Sequence, residues 1–369
     1  MERAATFPGM LAALIPGTFF EGIPQNWLLW LISGGAVALL VFGADRAVSG
    51  AVRLAAALGM STVIIGATVV SLGTTSPEAF TSVTAAIQGK PGLALGNGVG
   101  SIICDTALVF GLSCLLTRLP RDRFVLYRHG VLWLAAGTLL ALTVGVLAVG
   151  YGFGREVVEG VEREVLNRKL GRGIGGFYLL LLVGYMCVSV HWARRHPETI
   201  RPEAKVRVSL RHPVAATLLN LLLVAIGLGL VVLGSSLLVG SVSVLCTRYG
   251  VPPDVLAVTV VAFGTSLPEL VTAVTAVRKG HGELAIGNVI GADILNVLFV
   301  IGASAVAVPL VVPTTFVYFH LPVMMVALTL MGVFIFTGGA TFRRWQGLPL
   351  LGLYAGYLAL LFVRFGGAR

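Results

Sequence analysis

Four carboxylic acids stand inside otherwise apolar stretches of this 369-residue chain: Glu78, Asp105, Glu269 and Asp293. An ionised carboxylate at the centre of a bilayer costs about 2.5–3.5 kcal/mol even on a lenient insertion scale. No lysine or arginine occurs at that depth, so an internal salt bridge fails, and a bound cation or a proton remains to neutralise the acids. Oxygen-bearing side chains keep a regular spacing to them. Thr74 and Thr75 precede Glu78 by four and three residues, and Thr265 and Ser266 precede Glu269 in the same way, so on a helix hydroxyls and carboxylate share a face. Asn97, Ser101 and Asp105 recur every fourth residue and form one stripe, with Asn288, Ala292 and Asn296 as its counterpart. Asp293 is one residue off that stripe and reads either as a wall of the site or as a residue behind it, linked to the cytoplasmic side. Pro77 leaves the carbonyl of Gly73 without a helical partner and Pro268 does the same to Gly264, so both helices are expected to break at mid-depth and offer carbonyls to hard cations. Two such clusters meeting would give an all-oxygen cage of the kind Ca²⁺ accepts with about six to eight ligands.

The elements that must position these residues are duplicated. Shifted by 191 residues, Gly73-Thr74-Thr75-Ser76-Pro77-Glu78 becomes Gly264-Thr265-Ser266-Leu267-Pro268-Glu269, and Gly96-Asn97-x-x-Gly100 becomes Gly287-Asn288-x-x-Gly291. Residues 66–111 match 257–302 at 20 of 46 positions without a gap, which marks an internal repeat. Gly96-x-x-x-Gly100 and Gly287-x-x-x-Gly291 present smooth helix surfaces for close approach to the proline-bearing helices. Apolar runs of spanning length lie near 27–44, 60–88, 93–117, 124–150, 174–192, 213–242, 252–278, 283–308, 316–337 and 347–364. Five precede the central loop and five follow it, so an odd number inverts the second copy. The expected fold is an all-α membrane protein of ten transmembrane helices in two inverted five-helix repeats: 1–26 as an N-terminal segment, 27–192 as the first repeat, 193–212 as a basic cytoplasmic loop and 213–369 as the second. Inverted repeats with a site at their midplane interface are a transporter design.

Composition agrees with that class. The chain is 57% hydrophobic and 11% charged, with a mean hydropathy of +0.94, far from the balance of a soluble domain. The net charge of +10 is spread over the loops, so nucleic acid is not the expected partner; the lipid bilayer is. Assigning alternate loops to one side gathers 16 of the 26 Lys and Arg there, which places both termini outside and the protein in the plasma or cell inner membrane. Residues 151–173, with Glu156, Glu159, Glu162 and Glu164 among five basic residues, are compatible with an amphipathic surface helix. The four cysteines are expected as buried hydrophobes and the scattered histidines disfavour a transition-metal site. The last two spans read as scaffold, with His320 packed or interfacial. No catalytic Ser/His/Asp set or His cluster argues for an enzyme, no cofactor is expected, and no obligate protein partner is evident.

The doubled motif resembles that of the cation/calcium exchanger superfamily, whose paired repeats carry Gly-Thr-Ser-x-Pro-Glu and Gly-Asn-x-x-Gly-Ser, and the resemblance covers essentially the whole chain. It implies exchange of cytoplasmic Ca²⁺ for external Na⁺ by alternating access at a midplane site. Glu78 and Glu269 would be the central Ca²⁺ ligands, joined by oxygens of Thr74 and Thr265. Ser71, Thr75, Ser101, Ala262 and Ser266 would line flanking sodium sites. Asp105 and Asn296 hold the position where the family has an amide in one repeat and often a carboxylate in the other. Here the carboxylate is in the first repeat, Ala292 lacks the usual hydroxyl, and Ile102 and Asp293 stand where asparagine is common, which bears on the counter-ions. Exchange of another couple, with Mg²⁺, K⁺ or H⁺ in play, is the alternative transporter, and a cation channel is the alternative of another class.

Overall fold

The computed structural model describes residues 15, 17–87, 91–121, 123–158, 161–195, 213–249, 266–337 and 339–365. A short helix, Gly17–Glu21, leads into helices labelled here α1 (Asn26–Leu58), α2 (Thr62–Ile87), α3 (91–116), α4 (Arg123–Tyr151), α5 (Arg172–Arg195), α6 (Pro213–Arg248), α7 (Leu267–Arg278), α8 (Gly282–Ala307), α9 (Phe316–Thr337) and α10 (Gly347–Phe365). Among the described residues eight, all but α7 and α10, are long and apolar enough to cross a membrane. The protein is therefore mostly helical, in keeping with its composition.

Burial sorts the helices. In their most apolar windows 83% of α8, 72% of α3 and 61% of α2 is buried, against 22% of α5 and 33% of α1 and α4, so the helices carrying the doubled motif form the centre. Leu142, Val146 and Val149 of α4 and Leu180 and Val183 of α5 stay exposed, as lipid-facing residues do.

Apolar side chains gain nothing by leaving lipid for one another, so helix contact in a membrane depends on close van der Waals fit. Two crossings show this. A Cβ on Gly287 would stand 2.2 Å from the carbonyl oxygen of Val63, and one on Gly291 would stand 2.6 Å from that of Ala67, so the second Gly-x-x-x-Gly pair seats α8 on α2 as expected. On α3, however, the closest described approach falls at Gly98, against Ile301 at 2.8 Å, rather than at Gly96, whose nearest neighbour is the Phe316 ring at 3.6 Å, or at Gly100. The second crossing joins α1 to α6. Gly43 meets Gly227, Ala36 meets Gly234, Gly50 meets Val224, and Ser33 hydrogen-bonds Ser241 at 2.8 Å, so contacts that advance along α1 retreat along α6 and the two helices are antiparallel.

The loops pair end to end. Arg121 N–H donates to the Ala340 carbonyl and Phe342 N–H to that of Leu119, while Leu166 and Leu170 N–H donate to Val312 and Leu310. Segments 117–121 and 339–343 therefore share one end of the bundle, and 164–171 and 308–315 share another.

Two expectations are corrected. Residues 153–158 and 161–166 form two antiparallel strands, β1 (Phe153–Val158) and β2 (Val161–Leu166), not a helix. Valines at 157, 158, 161 and 165 favour strands. Gly152, with φ of 66°, closes α4, and Arg155 stands opposite Glu164 in the antiparallel register. Second, the α-helix of Ser71–Ile87 runs through Pro77 unbroken, and the departure from α geometry lies upstream as a π turn at Gly66–Val70. Pro77 removes one hydrogen bond, and hydroxyls sharpen the surrounding turns instead: Ser76 donates to the Leu72 carbonyl and Thr74 to those of Val70 (3.3 Å) and Ser71 (3.2 Å). In the second repeat Pro268 sits in the first turn of α7, where its missing N–H is harmless.

Candidate cation site

The four intramembrane carboxylates are all buried: Glu78 is 2% exposed, Glu269 0%, Asp105 0% and Asp293 2%. The fold brings them into one neighbourhood. Thr75, three residues before Glu78, hydrogen-bonds Glu269, and Thr106, the residue after Asp105, hydrogen-bonds Asp293. None of the four forms an ion pair with a described lysine or arginine.

Helix α2 delivers its residues on one face, as the three- and four-residue spacing requires. Thr75 Oγ1 reaches across to donate to Glu269 Oε1 at 3.3 Å, and Thr74 Oγ1 lies 3.5 Å from Asn288 Oδ1, so hydroxyls of the first repeat serve side chains of the second. Ser71 donates weakly to the Thr68 carbonyl at 3.4 Å, and its Oγ lies 2.5 Å from where a Cβ on Gly291 would stand. Asn97 ties α3 back to α2, its Nδ2 donating to Ser82 Oγ at 2.9 Å and to the Glu78 carbonyl at 3.4 Å. Ser266, at the head of α7, stands beside Asp105.

Asp105 and Asn296 occupy matching places in matching irregularities. Helix α3 adopts π geometry over Cys104–Val109 and α8 over Asn296–Ile301, the same place in each repeat to within one residue. Such turns release backbone groups from the α ladder and recur at functional sites. The polar stripe was legible in the sequence; the widened turn that carries it was not.

Many of these atoms are unsatisfied. Among the described residues no hydrogen-bond partner is present for both oxygens of Glu78 and of Asp105, for Glu269 Oε2, for the hydroxyls of Ser101 and Ser266, or for either amide atom of Asn296. A buried polar atom without a partner costs about 1–3 kcal/mol, more when it is charged. A dense group of such oxygens suits a hard cation taken from water, which needs many oxygen ligands. No three His, Cys, Asp or Glu side chains among the described residues converge as a metal cluster, so the available donors are paired carboxylates with hydroxyls and amides. Of the remaining expected site residues, Thr265 and Ala262 lie outside the described residues.

Asp293 is set apart. Its Oδ2 accepts from Trp133 Nε1 at 2.7 Å and from Thr106 Oγ1 at 2.6 Å. Neither donor was singled out from the sequence, although Trp133 gave a signal: tryptophan favours the membrane interface, and one placed about two turns inside a span needs an acceptor for its N–H. Ser82 and Tyr354 were also missed. Tyr354 brings α10 against Cys104. His320 is packed between Phe316 and Phe319, its Nδ1 3.0 Å from the Tyr357 hydroxyl.

Comparison with known proteins bears on this arrangement. The family described as "Sodium/calcium exchanger protein" matches residues 28–191 and 219–363. Sodium/calcium exchanger MaX1 of Methanosarcina acetivorans is 28% identical over 359 residues, covering 92% of this chain and 99% of its own. Inner membrane protein YrbG of Escherichia coli is 32% identical over 273 residues, 73% of this chain and 77% of its own. Among solved structures, the sodium-calcium exchanger NCX_Mj, soaked with Na⁺ and Sr²⁺, superposes with a TM-score of 0.73 at 26% identity, over 91% of this chain and 99% of that one.

Proposed function

The chain belongs to the sodium/calcium exchanger protein family, a family of membrane transporters rather than enzymes, and from that premise we propose that it is a secondary antiporter. In this reading Ca²⁺ leaves the cytoplasm as Na⁺ enters, both using one central site that opens to each side in turn. Ten spans form two inverted repeats joined by the basic segment 193–212 on the cytoplasmic side, with both termini outside; the antiparallel crossing of α1 and α6 supports this. The observation that carries the proposal is that Glu78 and Glu269, one from each copy of the motif, are both buried with carboxylate oxygens that have no described partner, while Thr75, three residues before Glu78, hydrogen-bonds Glu269 across the two copies.

Two ionised glutamates balance one Ca²⁺, while several Na⁺ ions share the same oxygens, so competition for the site is the coupling. Thr74, Thr75, Thr265 and Ser266 complete the oxygen shell around the glutamates, with Asn97 and Asn288 fixing the neighbouring helices. Ser71, Ser101 and Ala262 extend the shell for Na⁺. Asp105 and Asn296 set whether the occupied site carries one more negative charge or a further cation. That extra carboxylate favours one second reading, exchange that also engages K⁺ or H⁺.

Isotopic Ca²⁺ flux in proteoliposomes tests the proposal. Uptake is expected to follow an outward Na⁺ gradient and to stop when choline replaces Na⁺. Flux indifferent to any counter-ion would identify a channel, and flux driven only by K⁺ or H⁺ another couple.

A further inference from the structure

Asp293 differs from the other three buried acids in having strong donors. Trp133, 1% exposed on α4, and Thr106, 0% exposed on α3, both direct their protons at Oδ2, at 2.7 and 2.6 Å. Thr106 directly follows Asp105 within the π turn of α3, and Asp293 lies three residues, nearly one turn, before Asn296 on α8. One oxygen atom therefore staples α4, α3 and α8 together at the level of the Asp105–Asn296 pair.

We propose that Asp293 is a positioning residue rather than a cation ligand: with Trp133 and Thr106 it forms a clamp that sets where Asp105 and Asn296 stand. The proposal rests on the reading of the glutamate centre as the transport site. Ligands hold a metal well only when their own orientation is held from behind, and loss of such an outer partner typically lowers metal affinity by about 10–100-fold. The clamp is hydrogen bonding by an acceptor, not charge. An amide oxygen at the same place accepts from the same indole N–H and hydroxyl.

That distinction gives the test. Sodium and calcium concentrations for half-maximal exchange are measured for the native chain, Asp293→Asn, Asp293→Ala, Trp133→Phe and Thr106→Val. Asp293→Ala and Trp133→Phe are expected to raise the half-saturating Na⁺ concentration by about tenfold or more, with a smaller change for Ca²⁺. Asp293→Asn is expected to match the native chain. Equal damage in Asp293→Asn and Asp293→Ala would assign the residue to cation ligation and overturn the proposal; so would variants that lose only maximal rate with both half-saturations unmoved. If Asp293→Ala does not fold, Trp133→Phe and Thr106→Val carry the same comparison. A second readout is independent of the exchanged ions. The ¹⁵N-labelled indole N–H of Trp133 is expected to show a strongly hydrogen-bonded resonance in the native chain and Asp293→Asn and to lose it in Asp293→Ala, and a resonance unchanged in Asp293→Ala refutes the clamp. Persistent exchange in Glu78→Gln, beside an intact Trp133 signal, would instead count against the transport-site reading alone.

Discussion

The two copies of the motif match closely in sequence and diverge in structure. In the first, Pro77 lies inside a continuous helix, Glu78 has no described hydrogen-bond partner for either oxygen, and Asp105 places a second free carboxylate on the neighbouring helix. In the second, Pro268 opens a helix, Glu269 accepts from Thr75, the position of Asp105 is the neutral Asn296, and the extra acid, Asp293, is taken up by Trp133 and Thr106. Each copy holds two of the four buried acids, yet the first has both without a described partner and the second has one held outright and one in part. A duplicated sequence thus yields a site polarised toward one repeat, because the hydrogen-bond partners come from across the bundle and are not themselves duplicated.

The sharpest way to break the comparison is to neutralise each glutamate. Glu78→Gln and Glu269→Gln are each expected to abolish sodium-driven Ca²⁺ flux in proteoliposomes, and retained flux in either would mean that the two copies do not contribute jointly. Next comes the charge at the asymmetric position. Asp105→Asn is expected to change the number of counter-ions per Ca²⁺ or the pH dependence, read from reversal potentials of reconstituted exchange. The double change Asp105→Asn with Asn296→Asp is expected to restore the native charge count; if it leaves the stoichiometry of the single variant, the repeats are not interchangeable at that level.

A smaller effect is expected from packing. Gly287→Ala pushes a methyl group against the Val63 carbonyl and should destabilise the bundle by about 1–3 kcal/mol, seen as a lower Tm in detergent, whereas Gly34→Ala, with no described atom within 4 Å, should not. The smallest effect concerns the ion pair of Lys279 with Asp45, 2.6 Å long and partly exposed, which links the end of α7 to α1. Lys279→Met is expected to change stability by no more than about 1 kcal/mol, and less at high salt.

Much of the centre was legible because its signals are local. Glu78 and Glu269 are conspicuous as acids in apolar helices, and Thr74 and Thr75 share a face with Glu78 by helical periodicity alone. The strand pair at 153–158 and 161–166 was not, since mixed charges with short valine runs satisfy a helix pattern loosely, and its pairing with 310–313 depends on a segment distant in the chain. The expected break at Pro77 failed for a related reason: one missing hydrogen bond is a local fact, but whether the helix continues is decided by the hydroxyls and neighbours that surround it.

The sequence by itself determined that this is a membrane protein, that its chemistry is duplicated, and that four acids must be neutralised at bilayer depth, because hydropathy, spacing and repeat register are properties of the chain taken in order. Only the tertiary structure decided which acid meets which donor. Thr75 to Glu269 and Trp133 to Asp293 are contacts 194 and 160 residues apart, chosen by helix packing at glycine surfaces and by the demand that buried donors find acceptors, and no window of sequence contains them.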